Sequence, residues 1–138
     1  MAQGPVSATY GDHDICVGVV QNNTGSTIVK GSSVQYDTII GQIVATSATT
    51  ARQLGILMAD CPNLAYAEIQ TGGVAIALAG AGGLTVGQPV TAAVGGTLIA
   101  WTATGGTNVN FMGMARTAAL ATEYFELHMA GVGQLQQG

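Results

Sequence analysis

An internal repeat constrains the fold most, because the second half of this 138-residue chain echoes the first at an offset of 55 to 58 residues. Its clearest landmark is a glycine followed 11 residues later by a tyrosine, at Gly55 and Tyr66 and again at Gly113 and Tyr124. A repeat of this length is a supersecondary unit that completes its core against its neighbour. The sequence therefore predicts one domain built from two tandem pseudo-repeats.

Composition marks the ends of this domain. Residues 1–14 contain two glycines, one proline and few large apolar side chains, so they predict an extended N-terminal arm without a core of its own. The glycine- and glutamine-rich residues 132–138 predict a flexible tail. Between them, residues 15–131 form the predicted single β domain, with repeats at about 15–73 and 74–131.

Strand signals recur along both repeats and predict an all-β fold, a compact antiparallel β-sandwich or barrel. Segments rich in Val, Ile, Thr and Tyr alternate with turn residues at the spacing typical of such folds. In 66–70 and 124–128, polar and apolar residues alternate with the period of a half-buried strand. The alanine-rich stretch 114–120 leaves a helical turn open as an alternative. Strands are predicted near 15–20, 34–39, 41–46, 54–59, 65–71, 73–78, 88–93, 97–102, 111–116 and 123–129.

The charge content excludes several classes of partner. Charged residues make up 7% of the chain, the net charge is −4, and the cations are Lys30, Arg52 and Arg116 alone. Because no basic stripe exists to neutralise phosphates, neither nucleic acid nor an anionic membrane is an expected partner. A surface of small and uncharged polar residues loses its water cheaply, which favours a subunit of a larger assembly.

Neither the uncharged stretch 74–94 nor the two cysteines predict a functional element. Residues 74–94 carry no charge, but glycines and Pro89 interrupt them, so two strands and a turn are expected and a transmembrane span is not. The N-terminus lacks the basic and apolar regions of a secretory signal. In a reducing cytoplasm Cys16 and Cys61 are expected to be buried free thiols, with a disulfide between them as the alternative.

Two polar groupings are candidates for chemistry. Asp12, His13 and Asp14 could bind a cation or perform acid–base catalysis, but adjacent residues of an extended chain point to opposite sides, so a solvated acidic loop is expected. Glu68 and Glu126 each follow a tyrosine by two residues. Equivalent carboxylates could form a paired site, although repetition alone also places equivalent surface residues at equivalent strand positions.

The remaining candidates have structural interpretations. His128 occupies the position of Gln70 and is expected on the outer face of a strand. Residues 80–83 lack the third glycine of a dinucleotide fingerprint and predict a hairpin loop. Residues 22–24 match a glycosylation sequon but predict a turn, and Trp101 is a core anchor, an interface anchor or a ligand platform. We therefore predict no catalytic residue, no metal site and no cofactor, in a protein that is not an enzyme.

Glycine-containing segments of the chain carry a resemblance to a known family. They are residues 55–57, 73–76, 86–90, 95–98 and 113–115. In this pattern the chain resembles the small phage capsid cement, or head-decoration, proteins over roughly residues 15–130. It departs from that family at Gln88, where an acidic residue is common, and in its polar N-terminal arm.

The resemblance implies a structural function. A member of this family would bind the outer surface of an expanded tailed-phage head and stabilise it against the pressure of packaged DNA. The implied partner is the major capsid protein, the implied oligomer is a homotrimer, and the implied location is the virion after synthesis in the host bacterial cytoplasm. A carbohydrate-binding or adhesin β-domain is the alternative, although the aromatic platforms that such domains expose are scarce at 5% aromatic content.

Overall fold

The computed structural model of the chain describes residues 15–102, 108–130 and 135–137, and every regular element within these ranges is a strand. This confirms the predicted all-β fold class. All ten predicted strands are present, and β9 and β12 are additional. The strands are β1 (Ile15–Asn22), β2 (Ser33–Tyr36), β3 (Gln42–Ala45), β4 (Gly55–Leu57), β5 (Tyr66–Gln70), β6 (Val74–Leu78), β7 (Pro89–Ala92), β8 (Leu98–Ala100), β9 (Asn108–Asn110), β10 (Gly113–Ala115), β11 (Tyr124–Met129) and β12 (Leu135–Gln137).

The first five strands close into a barrel in the order β1-β3-β2-β4-β5. Strand β1 pairs antiparallel with β5 and parallel with β3, where Gln21 lies opposite Gln42. The barrel thus contains one parallel pair, which departs from the purely antiparallel arrangement predicted. A bulge between Val17 and Gln21, with Gly18 at a φ of 72°, bends β1. Closure removes the free sheet edges that would otherwise pair with another chain.

The next strands form an antiparallel sheet in the order β6-β11-β10-β7-β8. Its two outer strands approach each other through an isolated parallel bridge between Ala79 and Leu98. The neighbours of each strand match those of its counterpart in the barrel, with β6, β7, β8, β10 and β11 in the places of β1, β2, β3, β4 and β5. The Ala79–Leu98 bridge occupies the position that corresponds to the β1–β3 pair of the barrel. The two sheets therefore differ mainly in how completely they close.

The core consists of two clusters of buried apolar side chains, one inside the barrel and one inside the second sheet. Alternation along β5 and β11 is as predicted, since Ala67 and Ile69 are buried while Tyr66 and Glu68 are exposed. Ile56 points out of the barrel and packs in the cluster of the second sheet. The two halves therefore share apolar packing.

Backbone hydrogen bonds also join the halves. The Ser33 N–H donates to the carbonyl oxygen of Gly96 over 2.7 Å, and the Gly95 N–H donates to the carbonyl oxygen of Thr46 over 2.9 Å. The buried hydroxyls of Ser33 and Thr46 are hydrogen-bonded to each other at 2.8 Å. The two backbone hydrogen bonds thus fasten the β7–β8 hairpin to the barrel, next to a buried hydroxyl pair that is itself hydrogen-bonded.

Strands β9 and β12 pair antiparallel as a small third sheet. The Asn110 N–H of β9 donates to the carbonyl oxygen of Thr49 over 2.9 Å, which ties this sheet to the barrel. Residues 135–137 belong to the predicted tail and form β12. The predicted arm, residues 1–14, lies outside the described residues.

Two local interpretations differ from the structure. The loop at 80–83 is not a hairpin, because β6 pairs with β11 while β7 pairs with β10 and β8, so the loop connects strands that are not neighbours. The alternative of a helical turn at 114–120 is also wrong, since β10 includes Ala115 and Ala119 forms a bridge with Leu84. Within the described ranges, no helix is long and apolar enough to cross a membrane.

Candidate functional site

The carboxylates that recur in the repeats lie in different sheets. Glu68 is exposed on β5 of the barrel, and Glu126 is half-buried on β11 of the second sheet. An ion pair of 3.8 Å joins Glu126 to Arg116, whose side chain is 54% exposed. In the part of the chain that the structure describes, no hydrogen bond or ion pair connects the two glutamates. They occupy equivalent surface positions of the two repeats rather than one acid–base pair.

The two histidines of the chain, His13 and His128, were also considered as candidates for chemistry. His128 is exposed on β11, as predicted, between Val74 of β6 and Met114 of β10. Asp12, His13 and Asp14 lie outside the described residues. Over residues 15–102, 108–130 and 135–137, no group of three or more His, Cys, Asp or Glu side chains is arranged to hold a metal ion.

The asparagine of the sequon is a structural residue. Asn22 is completely buried at the end of β1. Its Nδ2 donates to the carbonyl oxygens of Ser26 at 2.8 Å and Cys61 at 2.7 Å, while its Oδ1 accepts from the Thr24 N–H at 3.0 Å. With both amide hydrogens donated inside the protein, this side chain orders two loops and is not presented for modification.

Cys61 is a buried free thiol. Its Sγ donates to the carbonyl oxygen of Ala65 at 3.5 Å. Burial raises the pKa of the Cys61 thiol, and a hydrogen bond involving Asn22 opposes that rise. The thiol is therefore kept protonated, which is the state that reacts least with oxidants and metals. The side chain of Cys16 lies outside the described residues.

Trp101 is a packing residue at the end of the second sheet. Its ring meets that of Phe111 edge to face, with centroids 6.4 Å apart and an interplanar angle of 81°. Its Nε1 donates to the carbonyl oxygen of Val109 over 3.4 Å. These contacts fix the half-buried indole against the segment that follows β8, which favours the interpretation as an anchor over that of a ligand platform.

The cavities of the described residues are small or shallow. A cleft of about 160 Å³ at the junction of the two halves is lined by Lys30, Met58, Gln70 and Ile76 among others. A wider depression of about 360 Å³ is lined by small and apolar residues around Leu84, without a titratable group. Sites for small molecules usually combine about 300–1,000 Å³ with several convergent polar groups, and neither cavity has both.

What the surface does offer is exposed apolar side chains between very few charges. Lys30, Arg52 and Arg116 are all exposed and sit in three different connections between strands. The exposed large apolar residues are Ile15, Val19, Val29, Tyr36, Ile39, Ile40, Met58, Leu64, Tyr66, Ile76, Val86, Val94, Met114, Leu120 and Tyr124. Such a surface suits contacts with other proteins.

The sequence did not predict one part of this surface, the exposed turn between β2 and β3. Residues 34–39 were predicted as a strand, but β2 ends at Tyr36, and the exposed Ile39 and Ile40 belong to the turn that follows. The available signal was two consecutive isoleucines immediately before the turn glycine Gly41, where the second repeat has a valine and a glycine.

Comparisons with known proteins identify a similar fold. No family model and no curated protein sequence matches the chain. Among solved structures, the chain is similar to the N base of head fiber gp8.5 of bacteriophage phi29, with a TM-score of 0.67. The identity is 13%, and the match covers 85% of this chain and 95% of that chain. At this identity the likeness shows the fold alone, so the chain shares its all-β architecture with the base of a phage head fiber.

Proposed function

We propose that this chain is a structural protein of a tailed-phage virion, a decoration protein that binds the outer surface of the expanded head. Its partner is the major capsid protein, and it acts as a homotrimer, by contact rather than by catalysis. By tying neighbouring capsid subunits together it stabilises the shell against the pressure of packaged DNA.

The observation that carries this proposal is the fold. The phi29 head fiber N base is matched over 95% of its length at a TM-score of 0.67. The likeness thus extends over essentially a whole head-associated domain and is not limited to a common hairpin or barrel motif. Fold alone does not determine function, but it agrees here with the resemblance of the glycine-containing segments to decoration proteins.

The chemistry of the surface supports the same function. With 7% charged residues in the chain, large areas lose little ionic hydration when they are covered by another protein. The side chains considered for chemistry serve structural ends: Asn22 orders loops, Cys61 is held protonated, and Trp101 packs against Phe111.

Oligomerisation would add the strength that single contacts lack. A standard interface buries about 800 Å² on each partner. Three linked copies that touch a repeating shell gain avidity even when each contact is weak. A trimer therefore supplies linked contacts to a chain whose exposed large apolar residues lie on many different strands and turns.

Co-sedimentation tests the proposal directly. The purified protein is mixed with expanded and with unexpanded heads of the phage that encodes it, the heads are pelleted, and bound protein is quantified across a concentration series. Light scattering of the free protein gives its oligomeric mass. Saturable binding to expanded heads, with a trimeric mass, is the expected result.

The unexpanded heads serve as the matched control, since they present the same capsid protein in another arrangement. Absence of binding to both kinds of head would show that the proposed function is wrong. A glycan array would then test the adhesin alternative, for which the exposed Tyr36, Tyr66 and Tyr124 are the aromatic residues to substitute.

A further inference from the structure

The turn between β2 and β3 presents the most exposed apolar group of the described residues. Ile40 is 99% exposed, and Tyr36 and Ile39 are 60% and 57% exposed. Val19, 64% exposed, lies at the same end of the barrel, because β1 runs parallel to β3 and Gln21 pairs with Gln42. Large apolar side chains grouped in this way on a soluble protein mark a site of protein contact.

This turn is held in one conformation by hydrogen bonds. The Asp37 N–H donates to the carbonyl oxygen of Gln42 at 2.9 Å, and the Gln42 N–H donates to that of Ile39 at 3.2 Å. The carboxylate of Asp37 accepts from the Thr38 N–H at 2.7 Å. The single acidic group of the turn is thus engaged within the turn, and the isoleucines are displayed on a preorganised support, which lowers the entropic cost of binding.

The equivalent turn of the second repeat, between β7 and β8, is used differently. Its Gly95 and Gly96 form hydrogen bonds with Thr46 and Ser33, so this turn packs against the barrel of the same chain. Small residues at these positions allow the close approach. The β2–β3 turn carries isoleucines and a tyrosine instead. Its Gly41 carbonyl oxygen accepts from the Gln21 N–H of β1 at 2.8 Å, but among the described residues the turn makes no backbone hydrogen bond to the second half.

The size of the apolar group indicates its partner. These four exposed residues present on the order of 500 Å², comparable with the largest apolar patch of a typical monomer. A stable complex needs about 800 Å² on each side, so this group alone is too small to hold two free copies together. The apolar group instead suits a partner that presents many identical binding sites, because several weak contacts made by linked copies add up to a strong interaction.

We propose that the β2–β3 turn, with Ile40 at its centre, is the element that inserts into an apolar recess of the shell protein. This inference rests on the proposed function and assigns its contact residues. Ile40 fills the recess, Ile39 and Tyr36 contact its rim, and the Asp37 carboxylate stays hydrogen-bonded to the Thr38 N–H of its own turn.

The test compares two single substitutions on equivalent turns. Ile40→Asp places a charge at the centre of the proposed contact, and Val94→Asp places the same charge on the β7–β8 turn, where Val94 is 76% exposed. Both variants and the wild type are titrated against expanded heads by co-sedimentation, and urea unfolding and light scattering are recorded for each. Since burying an isoleucine contributes a factor of about 10 to 100 in binding, we expect at least tenfold weaker binding for Ile40→Asp alone.

Each other outcome overturns the inference in a distinguishable way. Wild-type binding by Ile40→Asp, or equal losses in both variants, would refute the contact while leaving the proposed function intact. A changed oligomeric mass for Ile40→Asp alone would assign the turn to contact between copies of this chain. A wild type that binds no heads would remove the proposed function and this inference together.

Discussion

The two halves of the molecule have the same pattern of strand neighbours but close it to different degrees. In the barrel, β1 and β3 form a parallel pair over two positions, Gln21 with Gln42 and Asn22 with Ile43. In the second sheet the equivalent strands meet only at an isolated bridge. The two halves therefore have corresponding strand neighbours, while the strand pair that closes the barrel is reduced to one bridge in the second sheet.

The shared glycines show which requirements are common to both halves. Gly55 of β4 and Gly113 of β10 both lie against the backbone of the next strand, at Gln70 and at His128. A side chain at either position would collide with that strand. The turn glycines differ, because Gly96 is buried against Ser33 whereas Gly41 is exposed and has open space around it.

The largest expected effect comes from the strand glycines. In Gly113→Ala the new Cβ would lie 2.9 Å from the His128 carbonyl carbon and 3.0 Å from the Met129 Cα, at a φ of 150°. Gly55→Ala meets Ile69 Cγ2 at 2.7 Å without an unfavourable φ. We expect both to lower the free energy of unfolding by roughly 2–4 kcal/mol, Gly113→Ala more, since it combines overpacking with backbone strain. Urea denaturation measures both losses.

A control separates the steric collision from the backbone strain. Gly87→Ala introduces a Cβ at a φ of 82° with nothing within 4 Å, so its loss reports strain alone, about 1–2 kcal/mol. If Gly55→Ala were as stable as the wild type, the close approach of β4 to β5 would not constrain this position, and the proposed equivalence of the two glycines would be wrong.

A smaller loss of unfolding free energy is expected when either of two turn glycines, Gly41 or Gly96, is replaced by alanine. Gly41 and Gly96 have nearly the same φ, 83° and 86°, but a Cβ on Gly96 would lie 2.6 Å from the Ser33 carbonyl oxygen. Gly41→Ala should therefore cost about 1–2 kcal/mol from strain. Gly96→Ala should cost roughly 1–3 kcal/mol more, because it also disturbs the contact between the halves.

Thermal unfolding followed by circular dichroism, with urea titration for the free energies, checks the difference between these two variants. Equal losses in Gly41→Ala and Gly96→Ala would mean that the β7–β8 turn is not fastened to the barrel in solution. That result would also remove the contrast between a docked and a free turn on which the assignment of Ile40 depends.

Much of this architecture could be predicted from the sequence because it depends on local patterns. The alternation in 66–70 and 124–128 predicted half-buried strands, and β5 and β11 have that burial. Gly41 and Gly96 both have positive φ values, a conformation in which glycine is strongly preferred, so glycine is a local sequence signal for such turns. Local periodicity identifies strands, and local composition identifies turns; most of the described residues belong to one or the other.

The rest depends on contacts between distant residues. No pattern in β1 or β3 indicates that they pair in parallel, since that pairing closes the barrel only after the other strands are in place. Strand β9 consists of two asparagines and a valine, and its polar sequence carries no strand signal. The two isoleucines before Gly41 were an ambiguous signal, because apolar residues before a turn are equally typical of a buried strand end, so the local pattern did not show that Ile40 is exposed.

The smallest expected effect concerns Cys61 and Ala119, two equivalent positions whose side chains differ only by the thiol group. Cys61 forms a bridge with Ile28 in the first half, and Ala119 forms the equivalent bridge with Leu84 in the second. Cys61→Ala therefore introduces a side chain that this environment already accommodates in its counterpart. We expect a loss of about 1 kcal/mol or less at neutral pH, from the reduced apolar burial. Urea denaturation at pH 7 measures it.

The same variant should change how stability depends on pH. Because burial raises the pKa of the Cys61 thiol in the folded protein, the unfolded chain releases the thiol proton first as the pH rises. The unfolded state then binds fewer protons than the folded state, so the free energy of unfolding of the wild type falls with pH above about 8.5. Urea curves from pH 7 to 10, in a Cys16→Ala background, should show this decline with Cys61 and a shallower one with Cys61→Ala. Parallel declines in the two proteins would mean that Cys61 ionises as readily folded as unfolded, and that the burial of its thiol has no energetic consequence.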